Sequence, residues 1–138
     1  MTREFKFRAW DEDRKQYAQV LGLEFNENSG EIEIVKAKID GETYFGARKR
    51  FVLEQYTGLK DKNGKEIYEG DIINLPLDFG IREFGFVAFT NGRFLIQDYE
   101  WEDGSCHIVD FYDYNVPNQD FEIIGNIHEN SELLAPTL

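Results

Sequence analysis

Hydrophobic and polar residues alternate with a period of two along most of the chain, and glycine- or asparagine-containing turns interrupt the alternation at short intervals. This pattern predicts β-strands joined by hairpins. The predicted strands are Phe5–Ala9, Gln16–Phe25, Ile32–Ile39, Val52–Tyr56, Glu66–Glu69, Ile72–Leu75, Phe84–Phe89, Arg93–Ile96, Cys106–Tyr114 and Phe121–Ile127. The stretch Thr43–Phe51 fits a strand, a loop or a helical turn. A single helical turn, capped by Asn130 or Ser131, is expected through Leu134.

Four short segments predict where the chain turns. Asp40-Gly41 and Asn91-Gly92 are hairpin dipeptides, and Asn63-Gly64 suits a type I′ turn because both residues tolerate positive φ. Gly70-Asp71 interrupts a strand and indicates a bulge or a sharp bend. Bent and short strands suit a small closed barrel, which leaves no exposed edges. We therefore expect a mainly-β fold with an SH3-like barrel over roughly residues 65–128.

An N-terminal β-meander is expected to pack beside this barrel. The chain then has an N-terminal β-rich subdomain, residues 1–55, and an SH3-like subdomain, residues 56–138, within one compact unit. Aromatic residues make up 15% of the 138 residues, which is enough to build a stable core. The chain has no apolar run of the roughly 18 residues that a membrane span needs, and its start lacks the apolar region of a secretory signal. A single cysteine, Cys106, fits a reducing interior, so we expect a cytoplasmic protein.

Charge bears on the choice of partner. The 27 acidic residues exceed the 15 basic ones and give a formal net charge of −12. A negative field repels nucleic acid overall and promotes solubility, and it could also engage a basic partner protein. The one concentrated basic cluster is Arg48, Lys49 and Arg50, which could bind nucleic acid together with Tyr44 and Phe51 or form a solvated face that balances local acids.

Catalytic chemistry has little support in the residues. His107 follows Cys106 directly, and neighbours on a strand point to opposite faces, so the two are badly placed to act as nucleophile and base. His107, Asp110, Asp113, His128 and Glu129 lack the ligand spacing of zinc or calcium sites. No phosphate-binding loop, dinucleotide fingerprint or nucleophile-elbow motif is present. We expect no enzyme activity, no metal and no cofactor.

Three segments nevertheless resemble a known family, the YopX-like proteins of phages and prophages. They are Phe5–Asp11, the long block Gln55–Ile72 and Ile124–Asn130. The resemblance implies a protein encoded by a bacteriophage or prophage, working in the bacterial cytoplasm, with a mainly-β fold that includes an SH3-like part. It implies no activity and supplies no catalytic residues.

Most of the central block has a structural explanation in turns, a bend and core positions. Tyr56, Tyr68 and Glu69 are the residues least explained in this way, and they are the candidates for a protein-interaction surface. We expect a non-enzymatic accessory protein that self-associates and contacts an unidentified phage or host protein. The alternatives are a nucleic-acid-binding module through Arg48–Arg50, an acidic mimic of DNA, and a hydrolase that uses Cys106 or the histidines.

Overall fold

The structure, a computed structural model, describes residues 4–74, 84–97, 108–110 and 121–134. These residues form two antiparallel sheets, and their helical content is limited to two 3-10 turns, Arg48–Arg50 and Ser131–Leu134. The predictions of a mainly-β chain and of one helical turn near the C-terminus are therefore confirmed. The chain divides into two compact units, an N-terminal unit of Glu4–Gln55 and a C-terminal unit that contains Tyr56–Leu138.

The N-terminal unit is an antiparallel sheet of strands in the order β4-β3-β2-β1-β5. Its elements are β1 (Phe7–Asp11), β2 (Gln16–Phe25), β3 (Ile32–Ile39), β4 (Glu42–Ala47), the 3-10 turn Arg48–Arg50 and β5 (Phe51–Lys60). Strand β4, in the stretch that the sequence left open, lies at the edge of this sheet. The first half of β5 pairs with β1, and its second half pairs with β6 of the C-terminal unit.

One face of the N-terminal sheet carries a core of small and branched side chains around one large ring. The buried members are Ala9, Ala18, Val35, Ala37, Ile39 and Phe51. Gly46 completes this packing because a side chain there would collide with the ring of Phe51. The hairpin between β3 and β4 turns through Asp40 and Gly41, with φ of 50° and 83°, as the dipeptide predicts.

The C-terminal unit contains a second antiparallel sheet, in the order β10-β9-β8-β7-β11. The strands of this sheet are β7 (Asp71–Asn74), β8 (Phe84–Thr90), β9 (Arg93–Gln97), β10 (Ile108–Asp110) and β11 (Glu122–Asn126). The unit also contains β6 (Glu66–Tyr68), which pairs with β5. Its buried core consists of Ile67, Ile73, Val87, Phe94, Ile96 and Phe121. Within the described residues this sheet is open, with β10 and β11 at its two edges, so the SH3-like barrel stays a prediction.

The sequence predicts two hairpin turns in the C-terminal unit, and the prediction is correct for one and wrong for the other. Asn91 and Gly92 have φ of 54° and 81°, which is the expected hairpin turn. At the other dipeptide only Gly64 has positive φ, 81°, and Asn63 does not. The type I′ turn predicted there is therefore wrong. The reason is the carboxylate of Asp61, which accepts hydrogen bonds from the backbone N–H groups of Asn63 and Lys65 and fixes a different turn.

Gly70, in contrast, supports the predicted bend. Its φ is 84°, its N–H donates to the carbonyl of Val87, and its carbonyl accepts from the N–H of Ile127. The loop bracketed by Pro76 and Gly80, and the residues Cys106 and His107, lie outside the described residues.

Candidate functional site

Arg50, the last of the three cations that the sequence singles out, pairs with Asp11. Its Nε donates to Oδ1 of Asp11 at 3.1 Å and its Nη2 to Oδ2 at 2.8 Å. Asp11 is fully buried and also accepts from the backbone N–H groups of Asp13 and Arg14. The hydrogen bonds from Arg50 lower the pKa of Asp11 below its ordinary value, and Asp11 in turn raises the pKa of Arg50. Arg50 is thus a structural residue at the end of β1.

The other members of the predicted basic and aromatic patch differ in how far they are covered. Phe51 is in the core, and the ring of Tyr44 is covered by the guanidinium of Arg14, 4.2 Å from the ring centroid. Arg48 is exposed and donates through Nη1 to the carbonyl of Phe51 at 3.3 Å. Lys49 is exposed. The guanidinium of Arg50 lies 5.8 Å from the ring centroid of Tyr44 and 5.3 Å from that of Phe51, so the structure brings these three residues together and leaves Arg48 and Lys49 exposed.

The candidates for protein interaction in the central block are largely covered. Tyr56 lies opposite Tyr68 across β5 and β6, with ring centroids 5.5 Å apart, and only 5% of Tyr56 is exposed. The backbone N–H of Tyr68 donates to the buried carboxylate of Asp71 at 2.8 Å. Tyr68 and Glu69 are half-buried. Of the three, Tyr56 is a core residue of the C-terminal unit.

Asp61 explains much of why the central block has its sequence. Its Oδ1 accepts from Asn63 and Lys65, and its Oδ2 accepts from the backbone N–H of Ile123 at 3.1 Å, so one buried side chain ties the turn to β11. Burial alone would raise the pKa of Asp61, but these backbone hydrogen bonds outweigh it and the pKa is lowered. A second tie runs from Thr57 Oγ1 to the carbonyl of Ile67. These side chains of the block stabilise the fold.

A different surface of the N-terminal unit is exposed and carries both aromatic and cationic groups. On the face of the sheet opposite the core, the register places Phe45 beside Lys36 and Thr43 beside Lys38. Lys36 in turn lies beside Gly22 of β2. We call this surface the β3–β4 face; it consists of Gly22, Ile34, Lys36, Lys38, Thr43, Phe45 and Ala47.

Phe45 dominates the β3–β4 face because 69% of this residue is exposed. The ammonium of Lys36 lies 5.6 Å from the centroid of its ring, within the range of a cation–π contact. Beside the ring is an open groove of about 120 Å³. Its lining is mostly apolar and consists of Gly22, Leu23, Glu24, Ile34, Lys36 and Phe45.

The lysines near this face differ from four of the other six cations of the N-terminal unit. Lys6, Arg8, Lys15 and Arg50 all form ion pairs with carboxylates. Within the part of the chain that the structure describes, no carboxylate pairs with Lys36, Lys38 or Lys49. Their charges are therefore available to a ligand or a partner.

The edge of β4 offers backbone groups as well. In an antiparallel ladder, hydrogen-bonded and non-hydrogen-bonded pairs alternate, and the pair that flanks a two-residue turn, Ile39 and Glu42, is hydrogen-bonded. The N–H and C=O groups of Thr43, Phe45 and Ala47 consequently point away from β3. No charged side chain or proline occurs from Thr43 to Ala47, so this edge lacks the usual devices that prevent strand pairing.

The described residues supply little that could act as a reactive centre. Among them no group of three or more histidine, cysteine, aspartate or glutamate side chains could hold a metal ion. His128 and Glu129 lie in a tight turn, where the side chain of Asn126 accepts from both of their backbone N–H groups. No helix in the described part of the chain is long and apolar enough to cross a membrane.

Fold and surface together define a mainly-β, two-unit protein with an exposed aromatic edge strand. The family model described as "YopX protein" matches residues 6–135, so the chain belongs to the YopX family. The fold is also similar to a crystal structure of protein EF1440 from Enterococcus faecalis, with a TM-score of 0.64 and 28% sequence identity. That likeness covers 97% of this chain and 100% of the other. No curated protein sequence matches the chain.

Sequence reasoning missed the β3–β4 face. A signal was present, since Thr43, Phe45 and Ala47 alternate with Tyr44 and Gly46 in the manner of a strand. The alternation does not show which face of the strand is buried. A phenylalanine is ordinarily assigned to the core, and here Gly46 and Tyr44 face the core instead.

Proposed function

We propose that this YopX-family protein is a non-catalytic accessory protein of a bacteriophage or prophage, which works in the bacterial cytoplasm through protein–protein contact. It self-associates through the exposed edge of β4, and the assembled form contacts a further phage or host protein. The observation that carries the proposal is the uncharged stretch Thr43–Ala47 of the edge strand β4, with Phe45 exposed at its centre.

A second copy of the chain is the occupant that suits this edge. The three outward-facing positions Thr43, Phe45 and Ala47 are symmetric about Phe45. Two copies of β4 related by a two-fold axis can therefore pair antiparallel with Phe45 opposite Phe45 of the second copy. In that register each Thr43 lies opposite Ala47 of the second copy, and each outward N–H and C=O group meets a partner.

Charge favours the same register. Extending it by one residue places Glu42 of each copy opposite Arg48 of the second copy, so opposite charges meet at both ends of the paired segment. A one-residue shift would set the outward backbone groups of one strand against groups that already bond β3. The proposed interface is therefore specific in register, which a nonspecific apolar contact would not be.

The test is a proline placed where it blocks the edge and spares the sheet. Thr43→Pro removes an outward N–H and leaves the bonds between β3 and β4 in place, since proline is tolerated on edge strands at such positions. Size-exclusion chromatography with light scattering at micromolar concentration should give a dimer for the wild type, twice the 16.2 kDa of one chain, and a monomer for Thr43→Pro.

Thr43→Val is the matched control, because it keeps the N–H and a β-branched side chain, and it should remain dimeric. Far-ultraviolet circular dichroism of all three proteins establishes that each is folded. A strictly monomeric wild type, or a Thr43→Pro variant that is folded and still dimeric, would show that the β4 edge is not the interface.

A further inference from the structure

The formal charge of the chain conceals a strong difference between its two units. Residues 4–55 carry 9 lysines and arginines against 11 acidic residues, a net charge of −2. Residues 56–138 carry 5 against 16, a net charge of −11. The total of −12 therefore belongs almost entirely to the C-terminal unit, and it does not describe the field at the surface of the N-terminal unit.

The β3–β4 face is locally basic. Lys36 and Lys38 stand on it side by side along β3, about 7 Å apart as alternate residues of a strand. Arg48 and Lys49 follow β4 directly in the 3-10 turn and are exposed. One carboxylate, Glu24, lines the groove on this face.

The same face offers a flat aromatic surface among these cations. Phe45 is 69% exposed on the sheet, and Lys36 approaches its ring from the neighbouring strand. Gly22 presents no side chain next to Lys36, and a Cβ there would touch only the lysine side chain, 3.8 Å away. Proteins bind single-stranded nucleic acid on surfaces that combine exposed aromatic rings with cations that no carboxylate neutralises. The bases stack on the rings, and the cations bind the phosphates.

We infer that the β3–β4 face binds single-stranded nucleic acid without strong sequence preference, with a base stacked on Phe45 and phosphates held by Lys36, Lys38, Arg48 and Lys49. An acidic protein segment would also satisfy the cations. It would, however, leave the exposed ring and the groove beside it without a planar occupant. The inference does not rest on self-association, since the face is perpendicular to the edge that the second copy would use.

Binding can be measured by fluorescence anisotropy with a labelled oligothymidylate of about twelve nucleotides at about 50 mM salt. Stacking of one base is worth about 1–3 kcal/mol, so Phe45→Ala should weaken binding by at least about fivefold. The double variant Lys36→Gln/Lys38→Gln should weaken it by a comparable factor. With three to four phosphate contacts, log K should fall against log salt with a slope of about −2 to −3 in the wild type, and less steeply in the double variant.

Matched controls lie in the same chain. Lys6→Gln/Lys15→Gln removes two charges from the same unit at lysines that already pair with Glu4 and Glu12, and Phe89→Ala removes a ring that is 53% exposed in the other unit. Both should bind like the wild type. Thr43→Pro separates the two proposals, because it should abolish the dimer and retain anisotropy at saturating protein.

Three outcomes would overturn the inference. One is the absence of any anisotropy change at low salt. Another is equal binding by Phe45→Ala and the wild type, which would reduce the effect to nonspecific charge. The last is displacement of the oligonucleotide by polyglutamate at the same charge concentration, which would identify an acidic protein as the better ligand of this face.

Discussion

Among the described residues each unit buries two carboxylates, and one of each pair, Asp11 and Asp61, is stabilised in a different way. In the N-terminal unit the buried Asp11 is matched by a cation, because Arg50 donates to both of its oxygens. In the C-terminal unit the buried Asp61 accepts from three backbone N–H groups, and none of its hydrogen bonds with the described residues comes from a cationic side chain. Asp11 is held by a cationic side chain together with two backbone N–H groups, whereas the hydrogen bonds to Asp61 within the described residues come from backbone N–H groups.

This difference changes how the conspicuous residues are interpreted. Arg50 belongs to the one basic run in the sequence, yet it serves the fold of the N-terminal unit. Asp61 belongs to the most recognisable block, yet it serves the turn and β11. Among the described residues, the β3–β4 face is the surface for which we propose a function, and no carboxylate pairs with its two lysines. The structural roles of Asp61 and Asp11 can be tested by replacing Asp61 itself and by replacing Arg50, the partner of Asp11.

The largest loss of stability is expected when Asp61 is replaced. In Asp61→Ala, the N–H groups of Asn63, Lys65 and Ile123 lose their acceptor at once. Each buried donor left unsatisfied costs about 1–3 kcal/mol, and the two turn donors can recover part of this from water, so we expect a loss of about 3 kcal/mol in the free energy of unfolding. Urea unfolding followed by circular dichroism measures it.

Lys62→Ala is the control in the same turn. Its ammonium pairs with Glu122 at the surface, at 3.1 Å, and such pairs contribute about 0–1 kcal/mol. A loss at Asp61→Ala no greater than the loss at Lys62→Ala would contradict the structural role assigned to the central block.

A smaller loss is expected at Arg50. Removing one partner of a buried ion pair ordinarily costs about 3–5 kcal/mol. Here Arg50 is 26% exposed, and Asp11 keeps two backbone donors, so Arg50→Met should cost about 2 kcal/mol. The same urea titration applies, with the exposed neighbour Lys49→Met as control, which should stay within about 0.5 kcal/mol. Equal stability of the two variants would place Arg50 among the surface cations after all.

The sequence predicts the elements of this fold well where local chemistry decides them. Strands β2 and β3 have the bounds that their alternation predicts, and Asp40-Gly41 and Asn91-Gly92 turn as such dipeptides do. The first strand begins at Phe7 and ends at Asp11, a shift of two residues from the prediction. Strand ends depend on pairing with β5 and β2, which the sequence of β1 does not contain.

Prediction fails where a distant partner decides the outcome. At the turn beside Asn63, the carboxylate of Asp61 accepts from two N–H groups of the turn and also from the N–H of Ile123, which lies 62 residues away in the chain. Phe45 is exposed because Gly46 accommodates the ring of Phe51, so the other face of β4 became the covered one. The edge position of β4 follows from strand order, which alternation cannot specify. The candidate surface therefore emerges only from tertiary structure.

The smallest expected effect is the change in the free energy of unfolding with pH. The pKa values of Asp11 and Asp61 are both lowered from 3.8, so the unfolded chain takes up these protons at a higher pH than the folded chain. Their contribution to stability is complete above the ordinary carboxyl pKa and is lost as the pH falls through the lowered folded-state values. Protonation weakens the hydrogen bonds from the backbone to Asp61 without removing its acceptors, so less is lost than in Asp61→Ala.

Asp61→Asn isolates this contribution, because it removes one titrating group and leaves every other carboxyl of the chain in place. At neutral pH the variant should be less stable, since its amide sets an N–H group against a backbone donor that the carboxylate accepts. As the pH falls below about 4, the wild-type side chain becomes a neutral acid and the difference in free energy of unfolding between the two proteins should narrow. Urea titrations at intervals from neutral pH down to about pH 3 measure that difference. A difference that stays constant over this range would mean that charge on Asp61 does not stabilise the turn, and that only its shape does.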